Sequence, residues 1–580
     1  MEPISSIGEF RHIVNIYSKL VSHISFQEDI ETPNGWSSKA QEISHKDLFL
    51  SWPCHCDQSE THWFIAQYCF LWVLSVDLRM GYIESVIRQR LIASAKAGVT
   101  FALKLRSIVG VICTLLEKQS SLEDVSESEN DEILREDENK YRQILQMFLS
   151  AIEETIPSVI LKSQECFYGH LGCIASYLVS AMNTEGITES TRSDFDRMLE
   201  GTNVLLSAWS LSGKSPITLS KEPRNILNIV IDKCQLFPTK NACPFALAIE
   251  VCENKKDSIG GENPETVRTD APTQCLSSMM ESLYGSSWAV QKGRIRRESR
   301  CASSIGWNCE MFLVKSAEGM LQEMFACQLI GTIARIWDEA SIPVKIRPYD
   351  VCPLGEDFAL VEFIQDARTI DFLKRHTRSI DGSTLSLTEI FTNTLFRAKS
   401  SDGEEPSFGI DEFKENFISS CAGYSVINYV LRIGDRHNKN VLLTRDGRIV
   451  HIDFGFVLEL TPGGIGMESF VPFKLPLEYV EFMGEKGLDR FRQLVLLSMT
   501  VLRQNIERVA VLIEMGNSEC LPCLGGSSRI AAKHVRERVL YNVAEPDFSR
   551  EVSAMIDSSM GSWITRGYDY FQKFQNGIEN

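Results

Sequence analysis

The chain has 580 residues, 44% of them hydrophobic and 23% charged, which is the balance of a globular protein too long for a single core. Its formal net charge of -18 excludes a surface that is basic overall, of the kind that binds nucleic acid, and leaves room only for local basic patches. The 17 cysteines are odd in number and scattered, a pattern that fits reduced thiols better than a disulfide framework.

In chain order, residues 1–22 are broken by Arg11, His12 and Lys19 and do not read as a signal peptide. The apolar run 63–76 (WFIAQYCFLWVLSV) falls short of the ~20 residues a membrane span needs. It reads as a core helix, so any membrane role is expected to be peripheral. Residues 60 to about 235 carry apolar positions three and four apart, as in 83–118, 139–156, 164–182 and 193–209, with no fixed-period repeat. The acidic stretch 121–140 reads as a solvated linker.

Strand patterns come next. CPFALAIEVC (243–252) is the first, and a Gly-, Pro- and charge-rich insert at 253–275 comes after it. Beyond 309, CEMFLVK predicts a strand, SAEGMLQEMFACQLIGTIARIWDEA a helix, and VKIRPYDVCPL and FALVEFI two more strands. Past residue 410 helical pattern dominates, apart from the stretch 434–456. The expected fold class is α+β: a helical region at 1–235, a small β-rich lobe at 236–361 and a mostly helical lobe at 362–580.

The densest chemistry lies in GDRHNKNVLLTRDGRIVHIDFGF, residues 434–456. Asp446-Gly447 is a hairpin turn signal between two apolar runs. A hairpin brings the residues before its first strand close to those after its second, so Asp435, His437, Asn440 and Asp453 are expected in one site. Asn440 and Asp453 supply hard oxygen ligands suited to Mg²⁺, Asp435 can orient a hydroxyl nucleophile, and His437 can share the proton. The Asp435-Arg436-His437 order is the reverse of the His-Arg-Asp of protein kinases.

This long motif resembles the phosphoinositide 3- and 4-kinase superfamily. Upstream, VKSAEGMLQE is similar to the V-K-x-G-D-D-L-R-Q-E/D segment of that family. Lys315, Gln322 and Glu323 match, while the D-D-L-R core is replaced by Glu318-Gly319-Met320-Leu321. A strand lysine paired with a carboxylate on the next helix is how kinases place the nucleotide phosphates, which points to Lys315 with Glu323.

The resemblance implies a bilobal, protein-kinase-like lipid kinase domain that uses ATP and Mg²⁺. It implies a phosphate-covering loop at 294–307 with Ser299, Ser303 and Ser304. It also implies an adenine hinge at Val361, Glu362, Phe363 and Ile364, with Leu313 and Ile452 among the walls.

The substrate loop, 454–476, holds one basic residue, Lys474, against Glu459 and Glu468. One lysine fits phosphatidylinositol, whose only phosphate is the diester, better than an inositide bearing more phosphates. This leaves the 3- and 4-hydroxyls open. FISSCAGYSVINYVL, PFKLPLEYVEFMG, LPCLGGSS and the ending ITRGYDYFQKFQNGI resemble the type III phosphatidylinositol 4-kinases, closest to the beta form, over about 242–578. That likeness implies a cytosolic enzyme peripheral on membranes at the Golgi, whose helical region docks small GTPases or membrane adaptors. The aromatic, lightly basic segment 562–574 can rest on a membrane interface or pack on the catalytic lobe. Cys520-x-x-Cys523, far from Cys54-His55-Cys56, is a weak zinc signal.

Overall fold

The computed structural model describes residues 98–122 (with 92, 95 and 96), 143–219 except 185, and 224–253 except 240 and 241. It further describes 280–377 except 318 and 356, 384–396, 410–461, and 471–560 except 515, 517 and 519. Several sequence readings lie outside these residues: the apolar run 63–76, Cys54 to Cys56, most of the acidic linker, the 253–275 insert, the centre of the substrate loop and the 562–574 segment.

Four helices open the described chain: α1 (Val99–Leu122), α2 (Gln143–Glu153), α3 (Ser158–Thr184) and α4 (Glu189–Leu211). In α3 the buried Phe167, Leu171, Ile174 and Leu178 recur at the spacing of one helix face, as do Phe195, Leu199, Thr202 and Leu206 in α4. A capping box starts α4, Thr188 and Thr191 each accepting from the other's backbone N–H. No single described helix is long and apolar enough to cross a membrane.

An antiparallel sheet follows, made of β1 (Asn225–Ile229), β2 (Gln235–Leu236), β3 (Phe245–Cys252), β4 (Asn308–Lys315), β5 (Val351–Gly355) and β6 (Phe358–Glu362). Its order is β1-β3-β4-β6-β5, with β2 paired to β3. The sheet thus starts about ten residues before the boundary expected at 236, because the five-residue NILNI is too short to register as a pattern. The strand expected in VKIRPYDVCPL is likewise confined to its second half.

Along β4 the side chains alternate between two environments, as a strand requires. Cys309 and Met311, with Ala246 and Ala248 of β3, form a small cluster under Trp288 and Ile295 of α5 (Trp288–Glu298). Val314, Phe245 and Leu247 join the main core on the other face, where Phe245 meets Phe195 of α4 edge-on at 5.3 Å. Asn203 of α4 exchanges hydrogen bonds with the backbone of Ile229, 2.9 and 2.7 Å, and ties the helices to β1.

After β4, α6 (Met320–Glu339) is buried along nearly its whole length. The chain continues through β7 (Ala367–Thr369), α7 (Ile370–His376), α8 (Leu387–Phe396) and α9 (Ile410–Val430). Strands β8 (Val441–Thr444) and β9 (Ile449–His451) come next, then α10 (Leu477–Glu514), α11 (Ser528–Arg538) and α12 (Glu545–Ser559). Helix α10 bends at Gly484, which has a φ of 71°. Strands β7, β8 and β9 form a second antiparallel sheet.

The β8–β9 hairpin forms at the Asp446-Gly447 turn. Gly447 has a φ of 93°, and a Cβ there would stand 2.4 Å from the Phe413 carbonyl oxygen of α9. Glycine is required twice over, by conformation and by space. Gly447→Ala is expected to lower stability by about 1–3 kcal/mol, read as a shift of the urea midpoint without a change in slope.

Candidate active site

Lys315 is the last residue of β4 and its ammonium has two carboxylate partners. It donates to Glu323 Oε2 at 2.7 Å and to Asp453 Oδ1 at 3.2 Å. Glu323 sits in the first turn of α6, and Asp453 lies two residues past β9. The side chains are 15%, 4% and 50% exposed, so the pair is dry on the helix side and open on the Asp453 side. Burial alone would lower the Lys315 pKa; Glu323 and then Asp453 outweigh it and hold the lysine above its ordinary range. Burial would raise Asp453, but Lys315 and then Arg436 keep its carboxylate below the usual value.

Two residues that sequence reasoning passed over hold this arrangement. Tyr349 donates its hydroxyl to Glu323 Oε1 at 2.9 Å and accepts from the Asp453 backbone N–H at 3.2 Å. Its ring lies nearly parallel to that of Phe454, 5.8 Å between centroids. Arg436, buried, donates to the carbonyls of Gly434 and Ile452, both at 2.8 Å, and to that of Asp453. It staples the segment before β8 to the segment after β9. Gln322 adds a third tie, giving to Gly455 O at 2.8 Å and accepting from the Cys523 N–H at 3.0 Å. A lone Tyr in a loop carries no motif; Arg436 sits inside one, but its role is backbone bonding, which spacing does not reveal.

Asp435 and Asp453 are both left-handed, at φ values of 60° and 62°, and each costs roughly 1–3 kcal/mol that the surrounding bonds must offset. The strain points to conformations kept for something other than stability. Asn440 donates from Nδ2 to the Asp435 carbonyl at 3.0 Å, so its amide oxygen is the atom that could face a cation. His437 Nε2 is 3.7 Å from Asp435 Oδ2, and its buried Nδ1 has no partner among the described residues. Burial lowers the His437 pKa, and the charges of Arg436 and Lys474 act in the same direction against Asp435. Lys474 is thus close enough to be felt at His437, and also at His451.

Other sequence-predicted residues fall differently. Leu313 and Val361 are register partners of β4 and β6, and Leu313 is on the same face of β4 as Lys315. Ile364 is buried, and Leu313, Phe363 and Ile452 are partly so. The Glu362 N–H is already given to Asp350 O at 2.8 Å, so that donor is not available to a base.

Ser299, Ser303 and Ser304 are not brought to Lys315. They precede β4, whose eight residues put roughly 23 Å between its ends. Ser299 is engaged with Glu250 and caps the Cys301 N–H at 2.8 Å. What lies at the Lys315 end is the β2–β3 hairpin, closed by Phe237 N to Pro244 O and Thr239 N to Ala242 O, both at 2.8 Å. Phe245 opposite Val314 fixes that placement, and Phe237 contacts Phe363 at 6.3 Å. Only strand order and register reveal it.

Cys520 and Cys523 are buried and not disulfide-bonded, and burial pushes Cys523 up to about 12. Among the described residues no group of three or more His, Cys, Asp or Glu could hold a metal. A Mg²⁺ taking one or two protein oxygens, with substrate phosphates and water, needs none, and Asn440 with Asp453 fit that pattern.

Residues 311–525 match the model of the family "Phosphatidylinositol 3- and 4-kinase", and the span contains Lys315, Glu323, Asp435, Asn440, Asp453 and Lys474. The chain carries a phosphatidylinositol 3- and 4-kinase domain. Phosphatidylinositol 4-kinase beta 2 of Arabidopsis thaliana is 31% identical over 452 residues, 74% of this chain and 38% of that protein. Phosphatidylinositol 4-kinase beta 1 of the same plant is 36% identical over 320 residues, 53% and 27% of the two chains. Phosphatidylinositol 4-kinase beta of Danio rerio is 33% identical over 322 residues, 54% and 36%. Within its class the chain is a relative of the beta-type, type III phosphatidylinositol 4-kinases. It spans less than two fifths of the length of these three relatives.

Tyr349→Phe keeps the ring stack and deletes the two hydroxyl bonds. It leaves a buried carboxylate oxygen short of a donor and is expected to cost about 1–3 kcal/mol of stability, measured by denaturant unfolding.

Proposed function

We propose that this chain is an ATP- and Mg²⁺-dependent kinase that transfers the γ-phosphate to the 4-hydroxyl of phosphatidylinositol, giving phosphatidylinositol 4-phosphate. The observation that carries this reading is the convergence of the Lys315–Glu323 pair with Asp453, beside Asp435, Asn440 and His437, in a chain whose relatives are named phosphatidylinositol 4-kinases.

The parts take these roles. Lys315, steadied by Glu323 and Tyr349, binds nucleotide phosphate oxygens as a point charge. The β2–β3 hairpin takes the phosphate-covering place in preference to 299–304. Leu313, Val361, Ile364 and Ile452 are walls for adenine, with backbone groups of 361–364 other than the Glu362 N–H as its partners. Asn440 and Asp453 are the protein ligands for Mg²⁺, which neutralises developing charge on the phosphates when bound. Asp435 orients the inositol hydroxyl and accepts its proton. His437, whose pKa burial lowers, stands 3.7 Å from Asp435 Oδ2 and can take that proton from the carboxyl group, becoming imidazolium as Asp435 returns to carboxylate. Lys474 meets the diester phosphate, and its solitary charge supports an acceptor with no further ring phosphates.

In this reading the six-stranded sheet with α5 and α6 is the small lobe, the second sheet with α7 to α12 the large lobe, and α1 to α4 a scaffold. That scaffold is a surface for small GTPases or membrane adaptors, and the enzyme works at a cytosolic membrane face, at the Golgi.

The test is a lipid kinase assay with chromatographic separation of the monophosphates. A 4-phosphate product is expected, and a 3-phosphate product or peptide phosphorylation alone overturns the assignment. Asp435→Ala and Asp453→Ala are each expected to cut the rate by about 10³-fold or more, as is removing Mg²⁺ with EDTA. Lys474→Ala is expected to raise KM for phosphatidylinositol more than it lowers kcat.

A further inference from the structure

The arginine-rich segment RIRRESR stands at the far end of β4 from Lys315. Residues 288–300 hold five basic side chains, Lys292, Arg294, Arg296, Arg297 and Arg300, against one acidic, Glu298, in a chain of net charge -18. Lys292 is engaged with Asn308 at 3.0 Å, and Arg296 lies over the Trp307 ring at 5.6 Å. None of the four arginines is ion-paired within the described residues, and all four are exposed.

The helix divides cleanly. Trp288 and Ile295, seven residues apart, bury one face of α5 against the sheet. Val290, Arg294 and Arg297, at i, i+4 and i+7, lie on the opposite face. That outer face is not purely polar, since Val290 is 38% exposed; Ile305, in the turn that follows the helix, is 70% exposed. The sheet face on which α5 rests is the one that carries Leu313 and Lys315, and the helix packs at its Cys309–Met311 end, away from the lysine.

We propose that the outer face of α5, with the turn that carries Ile305, is a docking surface for an anionic lipid bilayer; this rests on the reading of the acceptor as a membrane lipid. A chain of this net charge is repelled as a whole by an anionic bilayer, so contact has to go through a local positive patch. Arginines flanked by exposed aliphatic side chains meet both layers of such an interface, the headgroup charge and the upper acyl region. An acidic polypeptide partner would use the charges but has no need of Ile305 and Val290.

The experiment is sedimentation of the purified chain with vesicles of phosphatidylcholine alone or with phosphatidylserine, both free of phosphatidylinositol so that the active site is not probed. Wild type is expected to sediment with the anionic vesicles only, and less so as salt rises. Binding should fall about 5-fold per arginine neutralised, hence about 25-fold in Arg294→Gln/Arg297→Gln. Ile305→Ser should weaken it by a smaller factor. Thermal midpoints and rates on phosphatidylinositol in detergent micelles should stay at wild-type values, and Arg294→Lys/Arg297→Lys should restore vesicle binding. Wild-type chain that ignores anionic vesicles, or a Gln pair that binds them like wild type, overturns the proposal. So does loss of binding to an acidic polypeptide without loss of vesicle binding. Absence of micelle activity in the wild type would sink the lipid-kinase reading and leave the docking surface to the sedimentation result.

Discussion

Lys315 has to be charged in a place where charge is expensive, and much of the site is arranged around that constraint. Its ammonium leaves water at the end of β4 and is compensated by Glu323 from α6 and Asp453 from the loop after β9. One cation thereby joins the large sheet, the helix behind it and the hairpin loop of the second sheet. Removing Lys315 would leave Glu323, 4% exposed, as an uncompensated buried charge, which is costlier than losing a surface ion pair. Tyr349 closes the group by bonding a carboxylate on one side and a backbone N–H on the other.

The second organising element is backbone bonding by Arg436. Its guanidinium serves carbonyls of Gly434, Ile452 and Asp453, so the two arms that leave the β8–β9 hairpin are held together by a rigid fork. This offsets the left-handed conformations of Asp435 and Asp453. Charge compensation and backbone stapling thus do different jobs. The first brings the sheets together, and the second holds the two arms of the hairpin against each other.

The basic face of α5 shows how the same motif changes meaning with topology. Along the chain, arginines and serines just before the lysine strand suggest contact with phosphate. In three dimensions that segment opens β4 while the lysine closes it, and an antiparallel partner strand brings a quite different hairpin to the lysine. The arginines are then free to face a larger anionic object than a nucleotide.

Much of the fold was legible in the sequence where one signal is local and strong. The Asp446-Gly447 turn requires a conformation that glycine takes at no cost, and so it announced the β8–β9 hairpin and with it the meeting of Asp435, Asn440 and Asp453. The strand CEMFLVK and the helix after it were equally plain, since alternation and a 3.6-residue period are set by the chain's own geometry. By itself the sequence determined that Asp435, Asn440, Asp453 and a strand lysine lie near one another. Only the tertiary structure decided that β1 starts at 225, that Tyr349 and Arg436 brace the site, and that the β2–β3 hairpin rather than Ser299, Ser303 and Ser304 stands beside Lys315. Those outcomes depend on strand order, register and the pairing of backbone groups distant in sequence, and no local pattern of side chains encodes them.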